Sequence, residues 1–390
     1  MRETGGFGNP RYSRLGSLRY EQSEKNFEMV DWINNWLNGL SPTQSLLLFT
    51  SSKAVVCFAI MMTMVAYTVV LERRLCAWIQ DRIGPNRVGP FGLLQPAADG
   101  IKAFFKEEMT PAHVRKIFFT LAPMIALIPA ILNLAVIPFG SNLGGQKMVL
   151  ADLNVGILYT FGIVSLGVYS IVLAGYASNS KFPFLGGIRS SAQMISYEIS
   201  MGMSVIPIFL MVGDLNLSSV IAAQTGTQLG FLPNWFVLQS PMTFLAFCIF
   251  LVSAFAETNR TPFDLPEAEQ ELAGGYNIEY SAIKFAMFFM GEYANMILVS
   301  AMMVTLFFGG WTLPWFGLDH AATTLPGGLL HIGIFLGKVF LFLVMFVWIR
   351  WMWPRFRYDQ LMDLGWRRFI PVALANILVT ALWLWWRSGK

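Results

Sequence analysis

Charge is scarce in this chain. Only 13% of its 390 residues are Asp, Glu, Lys or Arg, about half the ~25% of an ordinary soluble domain. That argues against a soluble enzyme of this length. Cysteine is scarcer still. Cys57, Cys76 and Cys248 lie far apart with no CxxC spacing, so they supply neither an iron–sulfur cluster nor a structural zinc site. The three histidines, His113, His320 and His331, fall outside or at the edges of the apolar stretches, which leaves no paired haem ligands inside a bundle. Any redox cofactor therefore belongs to other chains. Residues 1–40 are polar and lack the apolar core of a secretory signal. The net charge of +4 is too small and too dispersed to argue for nucleic acid.

What is abundant is apolar surface. The chain is 55% hydrophobic and 15% aromatic, with 13 Trp and 33 Phe, and its mean hydropathy is +0.55. Aromatic residues in such numbers suit lipid contact and interfacial belts. A bilayer core of ~30 Å needs ~20 apolar residues per helix. Eight stretches qualify: Ala54–Leu71, one helix each within Ile117–Gln146 and Leu153–Ser180, Ser190–Gly213, Pro241–Ala256, Ser281–Gly310, Leu329–Ile349 and Phe369–Trp386. The expected fold is an all-α polytopic membrane protein of eight transmembrane helices, with long cytoplasmic loops and an interfacial amphipathic helix. Residues 1–45 form a polar extension and 46–386 the membrane domain. Within the extension, Phe27, Val30, Ile33 and Leu37 recur at helical spacing beside Trp32 and Trp36, which reads equally as an interfacial helix or a tail with one apolar stretch. No internal repeat is visible, which counts against inverted-repeat transporters.

Lys and Arg counts orient the bundle. The loops 72–116, 178–189, 258–284 and 350–368 hold 17, whereas 139–154, 214–240 and 309–328 hold one, Lys147. The first set is read as cytoplasmic, with both termini outside. The N-terminal Arg2, Arg11, Arg14, Arg19 and Lys25 run against this rule.

Two cytoplasmic loops carry unusual chemistry. In the first, Gly84-Pro85 and Gly89-Pro90 force turns, and Gln95-Pro96 opens a helical stretch. There Leu93, Leu94, Ala97, Ile101, Phe104 and Phe105 can share one face while Asp99, Lys102 and Lys106 take another. This is either an amphipathic anchor in the interface or an entrance for an amphiphilic ligand at headgroup depth. The third loop packs six acids into 23 residues, Glu257, Asp264, Glu267, Glu269, Glu271 and Glu279, with Arg260 as the one local base. A solvated acidic hairpin, a docking surface for a basic partner and a proton-collecting cluster all fit. Glu198 and Glu292 lie inside apolar spans with no basic residue three or four positions away. Such residues are expensive and mark ion or proton routes unless an Arg or Lys pairs with them. Lys338, twelve residues before Arg350, is read as a structural lysine that snorkels outward.

The segments ERRLCAWIQDRIGPNRVGPFGLLQPAADGIK, GYASNSKFPFLGGIRSSAQMISYEIS, AETNRTPFDLPEAEQEL with GYNIEYSAIKFAMFFMGEYANM, and WPRFRYDQLMDLGW resemble the H-subunit family of bacterial NADH–quinone oxidoreductase. That family is related to mitochondrial NADH dehydrogenase subunit 1 of respiratory complex I. The likeness runs from about Leu46 to Trp386 with the motifs in the family's order. It implies a proton-translocating membrane subunit of the bacterial inner membrane, similar to a mitochondrial inner-membrane subunit, that binds no cofactor itself. Quinone is the implied substrate, and FMN and iron–sulfur clusters sit in partner chains. The implied partners are peripheral quinone-site and iron–sulfur subunits, small membrane subunits and antiporter-like subunits. By motif match, Glu72, Arg73, Arg82, Asp99, Lys102 and Arg189 would border the quinone chamber. Glu198, Glu257, Asp264, Glu267, Glu269, Glu279 and Glu292 would form an acidic proton route. A hydrogenase or formate hydrogenlyase membrane subunit without quinone, a proton or cation transporter, and a structural anchor are the competing readings.

The basic-residue asymmetry generates the first prediction. Cysteines introduced at Asn86 and Gln270 should be labelled from the cytoplasmic side and one at Thr227 from the outside. Labelling of Asn86 and Thr227 from the same face refutes the topology.

Overall fold

A computed structural model describes residues 41–388, except 144–145, 229 and 266–273. The candidate helix within 27–40 and the acids Glu267, Glu269 and Glu271 lie outside the described residues. The chain divides into two units, Met1–Val56 and Cys57–Lys390. In the first, the described residues open helix α1, Pro42–Ile79. Ser41 Oγ accepts from Gln44 N at 3.3 Å and Gln44 Oε1 accepts from Ser41 N at 3.1 Å. These reciprocal bonds satisfy two donors that a helix start leaves unpaired.

In the second unit α1 runs past Glu72-Arg73-Arg74, so the helix outlasts the apolar run. There follow α2 Gln95–Phe105, α3 Lys116–Asn133, α4 Gly156–Val164, α5 Leu166–Ala177, α6 Lys181–Val212, α7 Leu217–Ala223, α8 Phe236–Gln239 and α9 Pro241–Glu257. The last are α10 Ala282–Phe307, α11 Leu325–Met352, α12 Tyr358–Asp363 and α13 Ile370–Ser388, with a π-helical turn Leu364–Phe369 joining α12 to α13. Two small hairpins occupy loops expected outside, β1 Asn142–Leu143 with β2 Gln146–Lys147, and β3 Thr227–Gln228 with β4 Leu232–Pro233. The protein is thus all-α and polytopic. Among the described residues seven helical stretches are long and apolar enough to cross a membrane. The expected eighth, α9, has 17 residues, the short limit for a span.

Three spans differ from their sequence outline. The α4–α5 span breaks at Ser165, whose Oγ bonds back to Phe161 O at 2.8 Å, a local side-chain bond that competes with the helix ladder. Helix α6 starts at Lys181 rather than Ser190, which sets Glu198 further from the helix start than the apolar run suggests. Lys338 does not snorkel outward but is held by backbone. Its Nζ donates to Phe308 O, Gly310 O and Thr312 O at 2.7, 2.9 and 2.7 Å, binding α11 to the end of α10. The lysine is structural, but backbone carbonyls replace the expected solvent.

Helix α10 is the axis of the bundle. The most apolar stretch of α10 is 72% buried, against 17% in the final span. The two loop sets bond among themselves. Arg350 reaches Glu72, and Lys284 reaches Glu108 at 2.5 Å. At the other end Asn216 Nδ2 donates to Asp152 Oδ1 at 2.8 Å, and Ser141 Oγ meets His331 Nδ1 at 2.7 Å. An up-and-down bundle requires this grouping of alternate loops. Helix α2 forms as expected and keeps its apolar face outward, with Ile101, Phe104 and Phe105 all exposed. Beside it, Gly92 (φ 71°) closes the Gly-Pro loop so tightly that a Cβ would meet Pro85 O at 2.2 Å.

A second close approach sets the helix spacing near Glu292. A Cβ on Gly291 would lie 2.9 Å from Ala126 O of α3. Gly291→Ala should therefore force α3 and α10 apart and cost about 1–3 kcal/mol, read as a lower melting temperature of the detergent-solubilised protein. Gly100→Ala in α2, where a Cβ meets nothing within 4 Å, should leave it unchanged or raise it. Equal effects of the two would refute the packing argument.

Candidate functional site

The turn after α9 delivers a base into the bundle. Asn259 takes a left-handed conformation (φ 50°). Gln193 of α6 holds the turn, donating Nε2 to Ala256 O at 2.7 Å and Phe263 O at 2.8 Å. Arg260 consequently enters between α1 and α10, its side chain only 13% exposed. Its Nη1 donates to both oxygens of Glu72 at 3.2 Å. Its Nε lies 2.9 Å from Glu292 Oε1, an ion-pair contact without hydrogen-bond alignment. The guanidinium also stacks 4.4 Å from the Tyr293 ring centre. Glu72 receives two more donors, Tyr293 Oη at 2.7 Å and Arg350 Nη1. Two carboxylates and two guanidiniums so neutralise each other, Glu72, Glu292 and Arg260 largely buried and Arg350 exposed.

This corrects the reading of Glu292 as an acid without a basic partner. No basic residue stands near it along α10, but Arg260 arrives from another element and compensates its charge. Glu72, expected at the quinone chamber, shares that same arginine. Glu198 and Glu257 are different. Glu257, buried at the end of α9, has an oxygen, Oε2, with no hydrogen-bond partner, and it interacts electrostatically with Glu198. Glu198 accepts a hydrogen bond from Ser165 at the α4–α5 break. It lines an apolar groove of about 960 Å³ between α4 and α6, with Ile157, Phe161, Ile206 and Phe209. Glu257 and Glu292 border a common cavity of about 40 Å³.

The other expected residues scatter around this centre. Asp264 is half-buried against Arg355 at 3.1 Å. Burial pushes its carboxyl up, and the arginine opposes that without cancelling it. Glu279 lies 3.7 Å from His113. In the first loop Arg73 pairs with Asp99 at 2.9 Å, to which Gln95 also donates at 3.0 Å. Arg82 bonds Gln80 and is exposed, as is Lys102. Arg189 lies 5.4 Å over the Tyr358 ring. The sequence reading missed Tyr293, Arg350 and Gln193 as members of the site. A tyrosine adjoining an intramembrane acid, and one arginine amid six acids, were the available signals. Among the described residues no group of three or more His, Cys, Asp or Glu could hold a metal ion.

Breaking a buried ion pair from one side costs about 3–5 kcal/mol, because it strands a charge in low dielectric. Arg260→Gln removes the guanidinium that compensates Glu292 and should lower the melting temperature sharply. Adding Glu292→Gln should recover much of that loss, since Glu72 keeps Arg350 and Tyr293. Additive losses in the double variant would show that Arg260 and Glu292 do not compensate each other.

Comparison with known proteins places this geometry in a family. The family model described as NADH dehydrogenase matches residues 52–381. An H subunit of NADH-quinone oxidoreductase from Cytophaga hutchinsonii is 48% identical over 330 residues, covering 83% of this chain and 93% of that protein. The H subunit of the same enzyme from Rickettsia prowazekii is 52% identical over 318 residues, covering 81% and 88%. Another from Koribacter versatilis is 46% identical over 355 residues, covering 87% and 97%. At such identity over most of both chains, with the family motifs converging on Arg260, the chain belongs to the NADH dehydrogenase family, among the H subunits of NADH-quinone oxidoreductase.

Proposed function

We propose that this chain works within an assembled proton-translocating NADH–quinone oxidoreductase. It forms the membrane side of the quinone-access chamber and links quinone reduction to proton movement through buried carboxylates. Electrons arrive through FMN and iron–sulfur clusters of peripheral partner subunits. Small membrane subunits and antiporter-like subunits complete the assembly in the bacterial inner membrane. The expected chamber residues are Glu72, Arg73, Arg82, Asp99, Lys102 and Arg189. The expected route runs through Glu198, Glu257, Asp264, Glu267, Glu269, Glu279 and Glu292.

The observation that carries the reading is the meeting of unlike acids around one arginine. Glu72 and Glu292 are compensated by Arg260, whereas Glu257 and Glu198 interact with each other and form no ion pair among the described residues. Quinone reduction takes up two electrons and two protons. A negative charge developing near Glu72 would compete for Arg260 and loosen its hold on Glu292. A loosened Glu292 can then accept a proton, which the Glu257–Glu198 pair can supply. The Arg260–Glu292 contact also favours a second reading, in which Glu292 is simply a satisfied structural acid.

Glu292→Gln separates the two. It keeps size and hydrogen bonding but cannot exchange a proton. In sealed vesicles the assembled complex should lose about tenfold or more of its quinone reductase turnover and acidification. NADH oxidation by a water-soluble artificial acceptor, which ends in partner subunits, should persist. Glu198→Gln should behave alike, and the double variant should cost far less than the product of the single losses. Near-normal pumping by Glu292→Gln removes it from the route and leaves the structural acid.

A further inference from the structure

The cavity shared by Glu257 and Glu292 is walled by six segments, among them α3 at Ala126 and the turn at Tyr276. Gly167, Ser170 and Ile171 come from α5, Met194 from α6, Glu257 with Thr258 and Asn259 from the end of α9, and Gly291, Glu292 and Asn295 from α10. Its volume, about 40 Å³, exceeds the ~10–15 Å³ that one water requires. A dry cavity is lined by hydrocarbon, and a wet one needs two to four polar partners. Here the lining includes two carboxylates, hydroxyls and two amides. Glu257 is 6% exposed and its Oε2 has no hydrogen-bond partner, an expensive condition for a buried oxygen. One further feature favours an open space at this place: a Cβ on Gly167 would meet nothing within 4 Å.

We propose that this cavity is a water site and that Asn295 is the positioning residue that holds one or two waters between Glu257 and Glu292. Asn295 stands three residues after Glu292, ~4.5 Å further along the same face of α10. Its amide supplies both a donor and an acceptor, so it can orient a water while remaining uncharged. A proton leaves the Glu257 carboxyl for the bound water as the water gives one of its own to the Glu292 carboxylate. No net charge is created on the water, and the two acids need not touch. The proposal rests on the proton-route reading above and adds a station to it.

The test uses the assembled enzyme in sealed vesicles. Asn295→Leu has similar volume and no polar atom. It should lower NADH–quinone turnover about tenfold and raise the solvent deuterium isotope effect, while oxidation of NADH by a water-soluble acceptor is unchanged. Asn295→Ser, which keeps a hydroxyl and leaves room, should restore at least half the turnover. Gly167→Ala adds a methyl to open space at the cavity wall without a clash, so it folds even where the leucine variant fails, and it should slow turnover in the same way. Normal turnover with an unchanged isotope effect in Gly167→Ala and in any assembled Asn295→Leu overturns the water site. Glu257→Gln is the control. If it is inactive while those variants are normal, the water site alone is rejected. If it too is normal, the proton route itself falls.

Discussion

A guanidinium among apolar helices is stable only where carboxylates meet it, and Arg260 is met by two. Around it four separate segments come to one point: Glu72 from α1, Arg260 from the turn after α9, Glu292 and Tyr293 from α10, and Arg350 from α11. Burying Glu72, Arg260 or Glu292 alone would cost several kcal/mol, so α1, the turn after α9 and α10 must converge for any of them to be tolerated, while Arg350 reaches in from the surface. The cluster thereby fixes helix registry. A shift of one residue in α10 would rotate Glu292 by ~100° away from the guanidinium. The Gly291–Ala126 contact beside it lets α3 approach closely enough to keep apolar packing continuous around the charges.

Registry by charge explains why the acids fall into two populations. Carboxylates reached by Arg260 are compensated, and their pairing is part of the folded state. Among the described residues Glu257 and Glu198 carry no such anchor. A structure that needed only stability would replace the second population with apolar side chains of equal volume, which is neutral or favourable in buried sites. Their presence beside a compensated pair is what separates the proposed proton route from a structural anchor. The fold tolerates this because the uncompensated acids border space: a groove at Glu198 and a small polar cavity at Glu257.

Most of the bundle was legible because hydropathy reports burial in lipid directly. Every apolar stretch became a helix, and the Gln95-Pro96 start of the amphipathic helix fell where proline at the first turn placed it. Helix ends were less legible. Residues 181–189 and 72–79 continue their helices beyond the apolar run, since backbone hydrogen bonding does not stop where the lipid does. Pairings between elements were not legible at all. Glu292 has no base at helical spacing, and its partner lies 32 positions upstream, brought there by the Asn259 turn and Gln193. The same holds for Lys338, whose three carbonyl acceptors appear only once α10 ends in the Gly309-Gly310 turn.

The two ends of the bundle are consequently held by different physics. At the end bearing the basic loops, guanidinium–carboxylate pairs join the helices. At the other, Gln224 accepts from Gly309 N at 2.9 Å and donates to Thr305 O at 3.0 Å, and Lys338 caps carbonyls where the α10 dipole is negative. A lysine satisfied by fixed backbone carbonyls has nothing to exchange with, since carbonyls do not titrate. An arginine shared between two carboxylates does, because a new negative charge near one can release the other. Charge rearrangement within this chain is therefore favoured at the end that holds Arg260, and α10, the most buried of the spans, is the element that connects that end to the fixed one.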